Sequence, residues 1–306
     1  MGKTSEFIQN NCEYKRMNIF ITGATGFVGN QLIDNLKRSK HQLFCLSRTS
    51  HTNSENTHYI KGNLNDLSNI SLKDIDIVIH LASISNGTKE SYHQTNVIGT
   101  QSLIQQCLSG NLKQFIYISS ICALSSNPND AYGKSKLEAE KIVVKSKLNW
   151  TILRPAEVIG KQSKFWNFLI NTLKNKKSIS LLGSGNQQLA PVHIDNLTFA
   201  IINIIGNKNT YQKNYFITGE SISQQYFYLT IKEEYQLKYK INHIPHMLIQ
   251  LLNLFKFILP LAYKNKIIAL QQLSQDRAYS YENANKDFNY KPTFFKESVK
   301  KTIIDV

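Results

Sequence analysis

Cysteine, acidic side chains and unbroken apolar runs are all scarce in this chain, and each shortage closes off a class of protein. Only four cysteines occur in 306 residues, Cys12, Cys45, Cys107 and Cys122. They have neither the density of a disulfide scaffold nor the paired spacing of a zinc site, and three of them, in predicted strands, helices or the adjoining turn, read as small apolar residues in a reducing compartment. The eight histidines form no close pair on a helix face, so no metal site is expected. Acidic residues number 21 against 36 lysines and arginines, a formal net charge of +15. That excess comes from lysines scattered over the whole length, with no nucleic-acid module, so no nucleic-acid partner is expected. The positive field can still draw in anionic ligands.

The most apolar stretch, His246 to Tyr263, is interrupted by Gln250, Asn253 and Lys256 and broken by Pro260. It is too short and too polar for a membrane span and reads as a core or lid helix. The alternative is an interfacial helix that touches a membrane surface through 246–263. No signal peptide is visible, which makes the cytoplasm the expected compartment. Residues 1–16 form a polar extension ahead of the first strand pattern, and Glu6 spoils a myristoylation match at Gly2.

Against these absences stands one dense signal, Ile19-Phe-Ile-Thr-Gly23-Ala-Thr-Gly26-Phe-Val-Gly29. A buried-strand pattern runs into the first glycine, and an amphipathic stretch begins inside the glycine run. Strand, glycine turn and helix make a phosphate-binding corner. Gly23 turns the chain, Gly26 lets the backbone approach a pyrophosphate, and Gly29 lets the helix lie close to the strand. The helix N-terminus adds free N–H groups and partial positive charge.

Strand patterns ending near Thr22, Leu46, Lys61, His80, Ser119 and Arg154 alternate with helical stretches at Phe27 to Lys37, Ser91 to Leu108 and Tyr132 to Lys147. The alternation predicts an α/β fold, a Rossmann-like doubly wound parallel sheet covered on both faces. A dinucleotide-binding domain is expected over 17–160. Short segments after it, including Phe165 to Leu173, Ser178 to Leu182, His193 to Ile205 and Asn214 to Thr218, predict a smaller C-terminal α/β substrate lobe over 161–306, with some segments returning to the first domain.

Tyr132 and Lys136 lie four apart and share a helix face. A phenol is a poor acid or base at neutrality, but a nearby ammonium favours the phenolate and lowers its pKa. Tyr132 can then pass a hydroxyl proton while hydride moves at the adjoining carbon. The pair alone is common on amphipathic helices. Ser119-Ser120, closing the preceding strand, adds a hydroxyl able to hold a substrate oxygen against the tyrosine.

These segments, with Lys61-Gly62-Asn63-Leu64-Asn65-Asp66, Asp76 to Ala82, Asn96-Val-Ile-Gly99-Thr100 and Leu153-Arg154-Pro155-Ala-Glu-Val158, fall in one order and spacing. Together they resemble the extended short-chain dehydrogenase/reductases, the NAD(P)-dependent epimerase/dehydratase family, over roughly residues 17 to 300. The resemblance implies Ser120 as the catalytic serine, with Ser119 second, beside Tyr132 and Lys136, the lysine also reaching the nicotinamide ribose. It implies cofactor contacts from Gly23, Thr25, Gly26, Phe27, Val28, Gly29, Ser47, Arg48, Asn63, Leu64, Leu81, Ala82, Asn96, Pro155 and Val158. NAD-using relatives place a carboxylate at the end of the second strand, where this chain has Ser47 and then Arg48. An arginine there can bind a 2′-phosphate through a charge-assisted fork, so NADP(H) is expected over NAD(H).

Dehydratases of this kind carry an Asp-Glu pair after the active-site residue, whereas Ile121-Cys122 follows Ser120, which argues against that reaction. Segments 182–196 and 284–292 resemble substrate-lobe and C-terminal signatures of nucleotide-sugar enzymes. Leu189 stands where many of them place a diphosphate-gripping arginine, leaving Arg277, Lys264 and Lys266, or helix N-termini, as candidates. The expected function is a reductase or epimerase of a nucleotide-activated sugar. Reduction or oxidation of an apolar ketone or alcohol, as in dihydroflavonol reductases and hydroxysteroid dehydrogenases, remains an alternative, as does a non-catalytic NADP-binding regulator. The resemblance also implies a homodimer through the helix that bears Tyr132.

Overall fold

Alternating side chains sort the strands of this protein onto two covered faces of one parallel sheet. The computed structural model describes residues 16–127, 129–245, 247 and 276–303. Strands β1 (Asn18–Thr22), β2 (Gln42–Ser47), β3 (Thr57–Lys61), β4 (Ile77–His80), β5 (Gln114–Ile118), β6 (Trp150–Pro155) and β11 (Lys213–Ile217) make seven strands in the order β11-β6-β5-β4-β1-β2-β3, every pair parallel. In β1, Ile19 and Ile21 enter one hydrophobic cluster and Phe20 the other; β4 and β5 divide their residues the same way. That period of two, with both faces apolar, is why the strands read as continuous hydrophobic runs.

Helices α1 (Phe27–Leu36) and α6 (Ile194–Ile204) cover the first face through Leu32, Ile33, Leu36, Leu197, Ala200, Ile201 and Ile204. Helices α3 (Gly99–Leu108) and α4 (Ala131–Lys145) cover the second through Leu103, Ile104, Cys107, Ala139 and Val143. The expected helix over 91–108 is instead three pieces: α2 (Lys89–Tyr92), a π-helical turn over His93–Ile98, and α3. The Thr100 hydroxyl donates to Asn96 O at 2.6 Å, and Gly99 lies so close to Leu64 that a Cβ would sit 2.7 Å from it. Both contacts accompany the widened turn at Asn96, a distortion frequent at functional sites.

A smaller lobe follows β7 (Val158–Ile159). It comprises α5 (Lys164–Lys174), β8 (Ser178–Leu182), β9 (Gln188–Leu189), β10 (Val192–His193), β12 (Ile222–Ser223), α7 (Gln224–Glu234), β13 (Lys240–Ile244) and α9 (Phe295–Thr302). β8 pairs in parallel with β13, β10 with β7, and β9 antiparallel with β12. Trp166, Ile170, Leu173, Phe227, Ile231, Tyr239, Phe295 and Val299 form the lobe's core. Segments 194–204 and 213–217, grouped by sequence with this lobe, return to the sheet. So does α8 (Glu282–Phe288), which packs Ala284 and Phe288 onto the first face. Tyr215 and Ile217 explain β11's place, because they complete the same apolar cluster as β1 and β4.

Candidate active site

Because the seven strands run in parallel, their carboxyl ends meet at one edge, and most expected site residues lie there. Gly23 follows β1, Ser47 closes β2, Asn63 comes just after β3, Leu81 and Ala82 follow β4, Ser119 and Ser120 follow β5, and Pro155 ends β6. β1 lies between β2 and β4, the point at which the order of winding reverses.

The glycine corner has three distinct geometries. Gly23 has φ +71°, and a Cβ on it would sit 2.6 Å from Ala82 N. A Cβ on Gly29 would overlap the Gly23 and Ala24 carbonyl groups, so the close approach of helix to strand requires glycine. Gly26 differs: a Cβ there would meet only Gly23 O, at 3.2 Å, and its φ of −79° suits any residue. Protein packing therefore does not demand glycine at 26. Gly26 is also the N-cap of α1 and supplies no side-chain cap, whereas Asp130, Ser163, His193 and Ser223 cap α4, α5, α6 and α7. An exposed glycine before an uncapped helix N-terminus fits an anionic ligand such as a pyrophosphate. Thr25 is exposed, Val28 packs on the sheet cluster, and the Phe27 ring fills the space above Gly160.

Around that corner, Ser47 is buried and its Oγ accepts the Thr49 N–H at 3.2 Å. Arg48 is exposed and makes no hydrogen bond or ion pair among the described residues. The Asn63 side chain accepts the Asn65 N–H at 3.2 Å, and Leu64 is buried beneath Gly99. Pro155 is buried and Val158 half-buried at the far side.

Beneath Ala82 runs a buried relay whose proton positions follow from counting donors. Thr100 Oγ1 spends its hydrogen on Asn96 O, so it accepts from His80 Nε2 at 2.9 Å. His80 Nδ1 is then the acceptor, taking the Thr22 hydroxyl proton at 2.6 Å, while Thr22 Oγ1 receives the Ala82 N–H at 3.3 Å. Burial and the nearby Lys136 charge push the His80 pKa down to about 3, keeping the ring neutral. Asn96 is buried too. Its amide binds both backbone groups of Ile84, at 3.0 and 3.2 Å, and donates to Ser135 Oγ at 2.9 Å. Its side chain is thus committed to the 82–84 loop and α4, one step behind the cleft, rather than free for a nicotinamide-side contact.

Asp130 caps α4 through the Gly133 N–H at 2.7 Å, which presents Tyr132 in the first turn and Lys136 one turn on. Tyr132 is half-buried, its ring 5.9 Å from Tyr92. The Ser120 hydroxyl lies near the Tyr132 phenol, and Ser120 Oγ accepts the Cys122 N–H at 3.1 Å. Ser119 points elsewhere: its hydroxyl is buried with no hydrogen-bond partner among the described residues. The tyrosine's acidity differs from expectation. Burial, helped by Cys122, pushes Tyr132 up to about 12, with the neighbouring Ser120 hydroxyl opposing. Lys136 does not lower it, because its ammonium donates to Ile118 O at 2.8 Å and lies 4.7 Å over the Tyr117 ring. Its own burial brings Lys136 down to about 7.

Tyr132 opens onto a cleft of about 760 Å³ whose walls also include Tyr92, Cys122, Asp130, Glu157 and Arg277. Two of these, Cys122 and Glu157, have places in the cleft that sequence reasoning missed, and Arg277 was a candidate from the sequence. Cys122 is a cleft thiol rather than a packing residue, raised in pKa mainly by burial. Cys45 and Cys107, by contrast, are buried in the sheet clusters and pushed up to about 12. Glu157 lies 3.5 Å from Arg277 Nη1. Arg277 is held by its backbone N–H on Gln188 O at 2.7 Å, while the Asp276 carboxylate accepts the Gln188 N–H at 2.8 Å. Gln188 is the neighbour of Leu189, which packs against the lobe core. An arginine distant in sequence thus stands beside the strand that lacks one. Cys12, Lys264 and Lys266 lie outside the described residues, as does the run 246–263 apart from Met247. Among the described residues no helix is long and apolar enough to cross a membrane.

The sequence model of the NAD dependent epimerase/dehydratase family matches residues 19–217. The chain belongs to this family. It is 30% identical over 233 residues to a dTDP-D-glucose 4,6-dehydratase of Dictyostelium discoideum, a match covering 60% of this chain and 54% of that protein. The chain therefore spans about half the length of that relative. It is 25% identical to a sterol-4-alpha-carboxylate 3-dehydrogenase, decarboxylating, of the same organism, over 69% of this chain and 74% of the relative. Among solved structures, UDP-glucuronic acid 4-epimerase from Bacillus cereus in complex with NAD superposes with a TM-score of 0.72 at 21% identity, covering 94% of this chain and 97% of that one. At that identity the likeness establishes the fold that this epimerase/dehydratase member shares.

Proposed function

We propose that this family member catalyses NADP(H)-dependent hydride exchange at a keto or hydroxyl carbon of a nucleotide-activated sugar. Reduction fits the residues better than internal epimerisation. The observation that carries the reading is the convergence of Tyr132 and Arg277 on the cleft, from the start of α4 and the segment joined to β9, with Ser120 near the phenol at the end of β5. The dinucleotide phosphates would rest on Gly26 and the N-terminus of α1, with Arg48 taking a 2′-phosphate. Once bound, the nicotinamide supplies the hydride acceptor or donor.

The protein's own work is proton transfer and orientation. With its pKa near 12, Tyr132 is protonated at neutral pH and set to give its hydroxyl proton to a carbonyl oxygen, the direction a reduction needs. Ser120 holds that oxygen against the phenol, and Lys136 braces the end of β5 beneath both. Arg277, facing the cleft on a backbone hydrogen bond to β9, supplies the fork for a diphosphate that Leu189 cannot. A homodimer through α4, where Val144 is 49% exposed, belongs to the same reading.

Leu189 packed in an apolar cluster, together with the sterol dehydrogenase relative, favours a second reading: oxidation or reduction of an apolar ketone or alcohol. The discriminating experiment follows NADPH absorbance with UDP- and GDP-keto sugars against steroid and flavonoid ketones, using wild type and Arg277→Ala. A nucleotide-sugar reductase turns over only the former, and Arg277→Ala raises its KM about ten-fold or more with kcat little changed. Turnover of the apolar ketones alone, indifferent to Arg277, would transfer the assignment to the second reading.

A further inference from the structure

Helix α5 has a buried side and an unusual outward one. Trp166, Ile170 and Leu173 enter the lobe core. On the other side Phe168 is 72% exposed and Phe165 50% exposed. At about 3.6 residues per turn, Phe168 and Lys164 fall directly opposite the buried stripe. Single exposed apolar residues are ordinary, but here the flanking sequence carries charge of one sign. From 158 to 194 the chain contains no acidic residue, and its lysines, Lys161, Lys164, Lys174, Lys176 and Lys177, all lie in or beside α5. All five are exposed, and none forms an ion pair among the described residues. Some lysines elsewhere find acids, as Lys37 does Asp34, Lys213 Asp287 and Lys296 Glu233.

We propose that the outward side of α5 docks this protein on an anionic phospholipid surface. The phenylalanines enter the boundary between headgroups and acyl chains, and the five lysines sit among the lipid phosphates. The convex helix face offers bare aromatic rings between separate ammonium groups, which matches a broad negative layer with an apolar interior. A strand of nucleic acid would want a groove along its backbone instead. The surface is tied to the cleft: Ser163 caps α5 through the Trp166 N–H and donates its hydroxyl to Val158 O at 3.1 Å, one residue from Glu157 in the cleft wall. The proposal stands independently of which substrate the cleft takes.

The test is co-sedimentation of the full chain with phosphatidylcholine vesicles with and without phosphatidylserine. The protein should partition onto the anionic vesicles only, and less so in high salt. The double variants Phe165→Ser/Phe168→Ser and Lys161→Glu/Lys164→Glu should each lower that partitioning about ten-fold, with NADPH affinity unchanged. Four results would overturn it: no sedimentation with phosphatidylserine vesicles; undiminished binding in both variants, which puts the contact elsewhere in the chain; a change of oligomeric state in the variants without lipid, which makes the face a protein contact; or stronger binding to a single-stranded oligonucleotide than to vesicles.

Discussion

His80 is the residue whose chemistry the fold constrains most tightly. Its ring is fully buried between Thr22 and Thr100, and the hydrogen bonds admit one neutral tautomer. A histidine that titrates near 6.5 when unfolded but near 3 when folded binds fewer protons in the native state between those values. Its stability contribution is therefore present above about pH 6.5 and lost as pH falls toward 3, a change of roughly 5 kcal/mol. His80→Gln keeps one donor and one acceptor without the titration, so urea unfolding across that range should show a shallower acid limb. An unchanged limb would assign the acid sensitivity to other groups. Arg48 gives a second residue-scale prediction. Exposed and without an ion pair among the described residues just after β2, it has little folding role to lose, so Arg48→Ala should reduce the preference for NADPH over NADH about ten-fold at constant Tm. An unchanged ratio would remove it from cofactor selection. The proximity of Ser120, Tyr132 and Lys136 was legible because short-range spacing on one strand end and one helix brings them together. Arg277 was a candidate too, but its meeting with Glu157 was not legible, because it joins residues 120 apart in the chain.

Among the elements, the strand–turn–helix corner separates a folding glycine from a binding one. Gly29→Ala forces a Cβ into the Gly23 and Ala24 carbonyl groups and should destabilise the protein by about 3 kcal/mol. Gly26→Ala meets one atom at 3.2 Å and should change stability by less than about 1 kcal/mol, while weakening dinucleotide binding by an order of magnitude or more. Thermal unfolding beside NADPH titration reads both effects, and equal behaviour of the two variants would mean that Gly26 is a packing residue. Helix α4 has its own anchor: Arg154 forks onto Glu140 at 2.9 and 2.6 Å and reaches Asn214 on β11 at 3.1 Å. Sequence marked Arg154 as part of a motif, and the structure shows that it fastens the helix bearing Tyr132 to two strands. Strand ends and helices were legible from periodicity. The π turn at Asn96 was not, because no local pattern distinguishes it from regular helix.

Over the whole molecule, the parallel sheet was legible because both its faces are buried and its strands are strongly apolar. The division into two lobes was only partly so. Strand β11 and helices α6 and α8 look in sequence like their lobe neighbours, and only the apolar clusters on the sheet draw them back. Arg277 follows the same logic, since the carboxyl-terminal return of the chain toward β9 and β12 carries it to the cleft. The account rests on that cleft being a site of proton and hydride exchange built on Tyr132, and one measurement addresses it most directly. Wild type and Tyr132→Phe are compared for NADPH oxidation with a nucleotide-linked keto sugar, alongside NADPH binding. Loss of about a hundred-fold or more in kcat, with NADPH affinity retained, is the predicted result. Equal turnover by the two proteins, or no turnover of any carbonyl substrate by a wild type that binds NADPH normally, would contradict it.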